Sequence, residues 1–259
     1  MKSAPSGISV QRSGNFNVLK EEGHGEPLRT QQCSSDRGSI ATAGKIRSRM
    51  DFALAHALSQ AAVFHDLPTA AHNWRVTMYA QAFAESLNLS DSQTRRFMMA
   101  ALLHDLGKID VPHELLAKRG PLLEEEFTVL KRHTLHGYER LLRMGERDEI
   151  ILAVTRWHHE RIDGSGYPDR MKGSQIPAPA RYFAVIDTFD AMTSLRSYRS
   201  ADQIRTSTQG LEELVSESGR TFCPDAVAVM IRLYAEGRID TICSHLNDTS
   251  ALQELEVMP

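Results

Sequence analysis

Six polar residues, His72, His104, Asp105, His133, His158 and Asp187, fall on the apolar faces of five predicted helices or at their ends. One histidine on such a face is usually a core residue with a hydrogen-bond partner. Six such residues are another matter, because burying them without partners would cost on the order of several kcal/mol. A shared divalent metal removes the difficulty, since neutral imidazoles and carboxylates then serve as ligands. Any fold this chain adopts has to bring together positions spread over 116 residues (187 − 72 + 1).

The faces are read from spacing. Val76, Tyr79, Ala80, Phe83, Ala84 and Leu87 recur at helical intervals, with His72 one turn earlier. Ser90 to Gln93 (SDSQ) predicts a capping box opening a second helix, with Phe97, Ala101 and His104 on one face. Gly107 predicts the stop of that helix, just after His104 and Asp105. A third helix begins near Leu123 with the acidic turn EEE, and His133 follows Leu130 on its inner side. A fourth runs from about Glu146 through Ile151, Val154 and His158. A fifth starts after Pro177 and Pro179 and aligns Ala180, Phe183, Ala184 and Asp187. There is no alternating strand pattern and no internal repeat, so the fold class is all-α. Residues 1–45, rich in Ser, Gly, Gln and charge, predict a flexible N-terminal tail; the domain runs over 46–245, and 246–259 form a C-terminal tail.

The His104–Asp105 pair carries most of the metal argument. Neighbours on a helix diverge by about 100°, so both reach one centre only near a helix end. A carboxylate there can bridge two cations about 3.5–4 Å apart, the spacing of two-metal hydrolytic sites. Other features exclude rival classes. The formal net charge of −3 and the lack of a long basic run argue against a nucleic-acid polymer as partner. Cys33, Cys223 and Cys243 form no disulfide framework, and the N-terminus lacks the apolar run of a signal peptide. No segment approaches the ~18 apolar residues of a membrane span. These points predict a cytoplasmic protein that does not enter the membrane. Trp74, Trp157, Met98 and Met99 read as core, and His24, His56, His65, His113, His136 and His245 match no ligand position.

With these motifs in order the chain resembles the HD-GYP family, a branch of the HD-domain metal-dependent phosphohydrolases. The likeness runs from about residue 50 to 240 through HNWRV (72–76), LLHDLGKIDVP (102–112), KRHTLHG (131–137), WHHERIDGSGYP (157–168), IPAPARYFAVIDTFDAMTS (176–194), RSYR (196–199) and GRTFCP (219–224). It implies an HD-domain helical bundle with a C-terminal helical extension. It also implies hydrolysis of cyclic di-GMP to pGpG, and on to GMP in some members, by a hydroxide held between two divalent ions. Carried over by motif, His72, His104, Asp105 and Asp187 surround one metal. Asp105 bridges to a second, held by His133, His158 and His159. Mixed N/O ligation suits Fe, Mn, Ni or Zn and does not choose among them; the expected ions are two divalent metals, Fe or Mn first and Ni or Zn next. The resemblance further implies that Lys108 meets non-bridging phosphate oxygens and that Arg196 and Arg199 hold phosphate or guanine edges. Gly164, Gly166, Tyr167 and Pro168 shape the pocket, with Tyr167 as a wall, and the same loop is a surface for partner proteins.

The chain departs from the pattern at Pro68, where members with a third metal carry glutamate, so a two-metal site is expected. Ser197 and Cys223 replace the proline and aspartate common in the later motifs. Regulation is open among a separate protein, metal supply and a homodimer. Two rival readings stand beside the phosphodiesterase: an enzyme for another cyclic dinucleotide or a nucleotide, and a catalytically weak sensor or docking module.

Overall fold

The computed structural model describes residues 52–62, 67–118, 120–194 and 204–244, with side chains described for 53–59 and, within those spans, from 71 onward. The order is α1 (Phe52–Ala62), α2 (Leu67–Ser86), α3 (Asp91–Leu103), a 3-10 turn (Leu106–Asp110), α4 (His113–Leu116), α5 (Glu124–Lys131), α6 (His133–Arg143) and α7 (Glu149–Trp157). A second 3-10 turn (Gly173–Gln175), α8 (Ala178–Thr193), α9 (Ser207–Ser216), α10 (Pro224–Ala235) and α11 (Arg238–Ser244) complete it. No strand occurs among the described residues beyond one isolated bridge, Ser218 to Phe222. The expected all-α class is observed. No helix among the described residues is long and apolar enough to cross a membrane.

Helix α8 is the centre of the domain. Twelve of its sixteen residues are buried, too many for one amphipathic stripe, so it must be covered on several sides. Helices α2, α7, α9 and α10 pack against it. Large rings fill the space between them edge-on: Tyr79 on Phe189, Phe83 on Tyr182 and Phe97 on Phe183, with centroids 5.8, 6.3 and 6.4 Å apart. That geometry sets each ring's positive edge against its neighbour's negative face.

Local signals fix several helix starts. Ser90 and Gln93 form the expected reciprocal cap of α3. Asp148 caps α7 by accepting from the Ile150 and Ile151 amides at 3.0 and 3.3 Å. That helix therefore begins at Glu149, three residues later than spacing predicts, because Glu146 accepts from the Arg147 and Asp148 amides and holds the entry turn. The expected third helix is two: α5 ends at Lys131 and His133 opens α6, with Arg132 between. Trp74, read as core, is 38% exposed.

Gly107 is not the stop of α3. The helix already ends at Leu103, and Gly107 lies inside the 3-10 turn. A Cβ there would sit 1.9 Å from the His133 carbonyl oxygen and 2.5 Å from the Gly137 amide nitrogen, so backbone meets backbone at this point. Glycine is needed for contact, not for an unusual φ.

Candidate metal centre

At the end of α3 the chain tightens. His104 is still helical (φ −53°, ψ −39°), whereas Asp105 has moved to φ −98°, ψ 9°. This change lets adjacent side chains converge, with His104 Nε2 3.1 Å from Asp105 Oδ2. Gly107 seats the following turn on the start of α6, and His133 Nε2 comes within 3.3 Å of Asp105 Oδ1. From α2, His72 Nε2 approaches His104 Nε2 at 3.4 Å and Asp187 Oδ1, on α8, at 3.5 Å. His158 and His159, at the end of α7, close the remaining side, their ring centroids 4.0 Å apart.

The second nitrogen of each ring explains what the first is for. Nδ1 of His104, His133 and His158 donates to the carbonyl oxygens of Ala101, Leu130 and Val154 at 2.7, 2.7 and 2.9 Å. His72 Nδ1 donates to Asp190 Oδ2 at 2.7 Å. With the proton fixed on Nδ1, each Nε2 presents a lone pair to the interior, the arrangement metal-ligating histidines show. Nε2 of His133 and of His158 is buried with no hydrogen-bond partner. The 3.3 Å approach of His133 to Asp105 does not relieve this, since neither atom then carries a proton. Buried polar atoms are rarely left so, and a cation is the partner that fits a converging set of lone pairs. Three overlapping groups have all their ligand atoms within 4.8 Å of one another: His72, His104 and Asp187; His104, Asp105 and His158; His133, His158 and His159. All seven residues expected as ligands are thus brought together.

The electrostatics agree for His133, His158, His159 and both carboxylates. Burial pulls His104 down too, but Asp105 and Asp187 outweigh it and raise this ring, which must give up its Nε2 proton to serve as a ligand. Burial pushes His133 down to about 4 and His158 down to about 3, so both rings are neutral at ordinary pH. Burial likewise holds His159 well below its usual value. For Asp105 burial works the other way, but His104, Lys108 and His133 outweigh it and hold the carboxyl well below the usual range. Asp187 is also lowered against the pull of burial, by His72, His104 and His158. Neutral imidazoles and ionised carboxylates are the protonation states that bind cations.

The loop after His159 is held from beneath. Glu160, buried, accepts from the amides of Asp169 and Met171 at 2.7 and 3.1 Å. A Cβ on Gly166 would meet the backbone of His159, Glu160 and Arg161 at 2.4–2.5 Å, so the loop folds flat on its own beginning. Tyr167 is thereby laid over His159, centroids 4.7 Å apart and planes 32° from parallel. Lys108 Nζ lies 2.6 Å from Asp105 Oδ2, with its side chain 24% exposed. Arg196 and Arg199 lie outside the described residues, and so does the side chain of Pro68.

Sequence reasoning missed two supports. Asp190 is fully buried and accepts from His72 Nδ1, from Arg75 Nε at 2.7 Å and Nη2 at 3.2 Å, and from Ser194 Oγ at 3.0 Å. Its signal was in IDTFDAMTS, where it follows Asp187 by three and shares its helix face. Arg161 donates to the carbonyl oxygens of His158 and Glu160 and to Thr188 Oγ1, bracing the loop against α8.

The fold and site together define an all-α domain built around a buried histidine–aspartate centre. The HD domain family matches residues 55–226, and the chain belongs to it. Its His-Asp pair and GYP loop are those of the HD-GYP branch, whose expected likeness is thereby upheld. It is 36% identical over 238 residues to the cyclic di-GMP phosphodiesterase response regulator RpfG of Xanthomonas campestris, covering 91% of this chain and 61% of that protein. It is 34% identical to a cyclic di-GMP phosphodiesterase of Thermotoga maritima (71% and 50% covered) and to the 3'3'-cGAMP-specific phosphodiesterase 2 of Vibrio cholerae (71% and 35% covered). The chain therefore spans less than two thirds of the length of these curated relatives. Among solved structures, Bd1817, an HDG"Y"P protein from Bdellovibrio bacteriovorus, shares the fold at TM-score 0.53 and 15% identity, over 71% of this chain and 63% of that one.

Proposed function

We propose that this chain is a metal-dependent phosphodiesterase that opens cyclic di-GMP to pGpG. The observation that carries it is the set of inward-facing Nε2 atoms and ionised carboxylates around one buried centre, with Nδ1 of four histidines already committed elsewhere. Relatives named for cyclic di-GMP and for 3'3'-cGAMP support a cyclic dinucleotide as the substrate class.

His72, His104, Asp105 and Asp187 suit one divalent ion, and Asp105, His133, His158 and His159 a second. Such ions supply Lewis acidity at phosphorus and activate water as nucleophile near neutral pH. The N/O donor set fits Fe, Mn, Ni or Zn without choosing among them, and Fe or Mn is put first on the family resemblance. The chain's own groups do the rest. Asp105 stays ionised, while the Ala101 and Leu130 carbonyls orient His104 and His133 through Nδ1. Lys108, partly exposed and tethered through Asp105, swings its ammonium onto a non-bridging phosphate oxygen as charge builds. Gly166 keeps the loop flat, and Tyr167 walls the pocket. Arg196 and Arg199 are assigned the outer phosphate or guanine edges, from motif position. Pro68 in place of glutamate assigns two ions, not three, and restricts onward cleavage of pGpG to GMP. We assign the cytoplasm as its location, where a soluble dinucleotide messenger is met.

A second reading has a specific observation behind it: the Vibrio cholerae relative is named for 3'3'-cGAMP. The test of both is anaerobic purification, metal analysis, and turnover of cyclic di-GMP and 3'3'-cGAMP with Mn or Fe supplied. Activity on cyclic di-GMP that vanishes in Asp105→Asn upholds the first reading. Preference for 3'3'-cGAMP upholds the second, and equal inertness of loaded wild type and Asp105→Asn overturns both.

A further inference from the structure

At the rim of the site Tyr167 is joined by two residues, Phe127 and Lys131, that have no role in the chemistry above. Phe127 is on α5, four residues before Lys131 and six before His133, and the residue is 41% exposed. It meets Tyr167 edge-to-face, centroids 6.1 Å apart and planes at 83°. Tyr167 in turn lies over His159. Three rings thus step from solvent down to a candidate ligand. Lys131 Nζ stands at the corner, 4.6 Å from the Phe127 centroid and 5.9 Å from that of Tyr167.

We propose that Phe127 and Tyr167 form a stacking site for a purine base of the substrate, with Lys131 donating to its acceptor edge. The inference rests on the phosphodiesterase reading. A diester whose phosphorus lies over Asp105 and His159 extends its sugar and base outward, and Tyr167 and Phe127 are the flat apolar surfaces on that path. Two rings at a right angle accept a planar group by stacking on one and meeting the other edge-on. Stacking itself tolerates any base. The ammonium does not: guanine offers two acceptors, O6 and N7, where adenine offers N7 beside a donor. The corner therefore favours guanine. The simpler alternative is that Phe127 is only a prop beneath the loop, a task any apolar side chain of similar volume performs.

The test uses the full chain loaded with Mn and compares wild type with Phe127→Ala, Phe127→Leu and Phe127→Trp. Two quantities are read: KM for cyclic di-GMP, and quenching of a cyclic dinucleotide carrying 2-aminopurine, which reports stacking directly. Ala and Leu are expected to raise KM by about tenfold and to lose the quench. Trp keeps both, and bound metal is the same in all four. Lys131→Met is expected to narrow the preference for cyclic di-GMP over cyclic di-AMP. Leu holds volume on an exposed helix face, so the comparison survives even where Ala unsettles α5. Leu behaving like Phe, or an unchanged KM in Ala, overturns the stacking site while leaving the phosphodiesterase reading intact. A loaded wild type that binds and cleaves no cyclic dinucleotide overturns that reading, and the corner with it.

Discussion

Asp190 Oδ2 lies 2.7 Å from His72 Nδ1, joining residues 118 positions apart in a fully buried hydrogen bond. The carboxylate fixes the ring's proton on Nδ1 and aims Nε2 at His104 and Asp187. Outer partners of this kind typically govern metal affinity by about 10–100-fold. Asp190→Asn keeps the shape and removes the charge, and we expect a loss of metal affinity in that range, read by competition with a chelator. Affinity equal to wild type would remove Asp190 from the site's support.

Gly107→Ala places a Cβ 1.9 Å from the His133 carbonyl oxygen, a backbone atom that no rotamer change can clear. The turn and α6 must separate, and we expect a loss of about 3 kcal/mol or more, seen as a lower urea midpoint. Gly107→Asn, which a helix-stop glycine would tolerate, should fail as badly. A stable Asn variant would restore the helix-stop reading.

Lys108→Met keeps the length of the side chain and drops its charge. Loss of one donor to developing charge typically costs about 10²–10³ in kcat. The drop is expected in kcat with metal content unchanged, measured by steady-state turnover and elemental analysis on the same preparation. A fall explained wholly by lost metal would assign Lys108 to the integrity of the centre instead.

Acid should unfold the metal-free chain early. His133 and His158 are pushed down to about 4 and about 3 in the fold, from an ordinary 6.5, by burial above all. Between those values and pH 6.5 the unfolded chain binds protons that the folded chain does not, so stability falls as pH falls. Each group contributes up to about 1.4 kcal/mol per pH unit. His104, whose value is raised, acts in the opposite sense only above pH 6.5 and adds no slope in this window, whereas His159, also lowered, adds to it. The Tm of chelator-treated protein is expected to drop steadily from pH 6.5 to 4, more gently in His158→Leu. A flat profile would mean that these rings are hydrated when the metal is gone.

Six of the seven candidate ligand positions were legible in the sequence because helical spacing decides which residues share a face, whereas His159 came only from the family resemblance. Polar side chains on apolar faces stand out without any knowledge of topology. What spacing does not carry is contact between distant backbones. Gly107 looked like a helix end because its real partner, the His133 carbonyl, is 26 positions away (133 − 107). The break at Arg132 was equally hidden, since the apolar pattern runs through it. Asp190 was missed for another reason: its partners Arg75 and His72 lie on a helix more than 100 residues earlier, and only packing α2 on α8 makes it a support. Trp74 shows the limit of residue type as a guide, because a tryptophan is rarely covered on all sides.

The inward-facing lone pairs of His133 and His158 have a consequence for how much protein a cell keeps. They belong to a set drawn from α2, α6, α7, α8 and the turn after α3, a set that does not exist in the unfolded chain. A cation that binds only the native set adds about 2.7 kcal/mol to stability at a hundredfold excess over its Kd. Chains made during metal shortage lose that increment and spend more time open to proteolysis. Scarcity would then lower the number of molecules as well as the activity of each one, making turnover of the protein itself a gauge of metal supply.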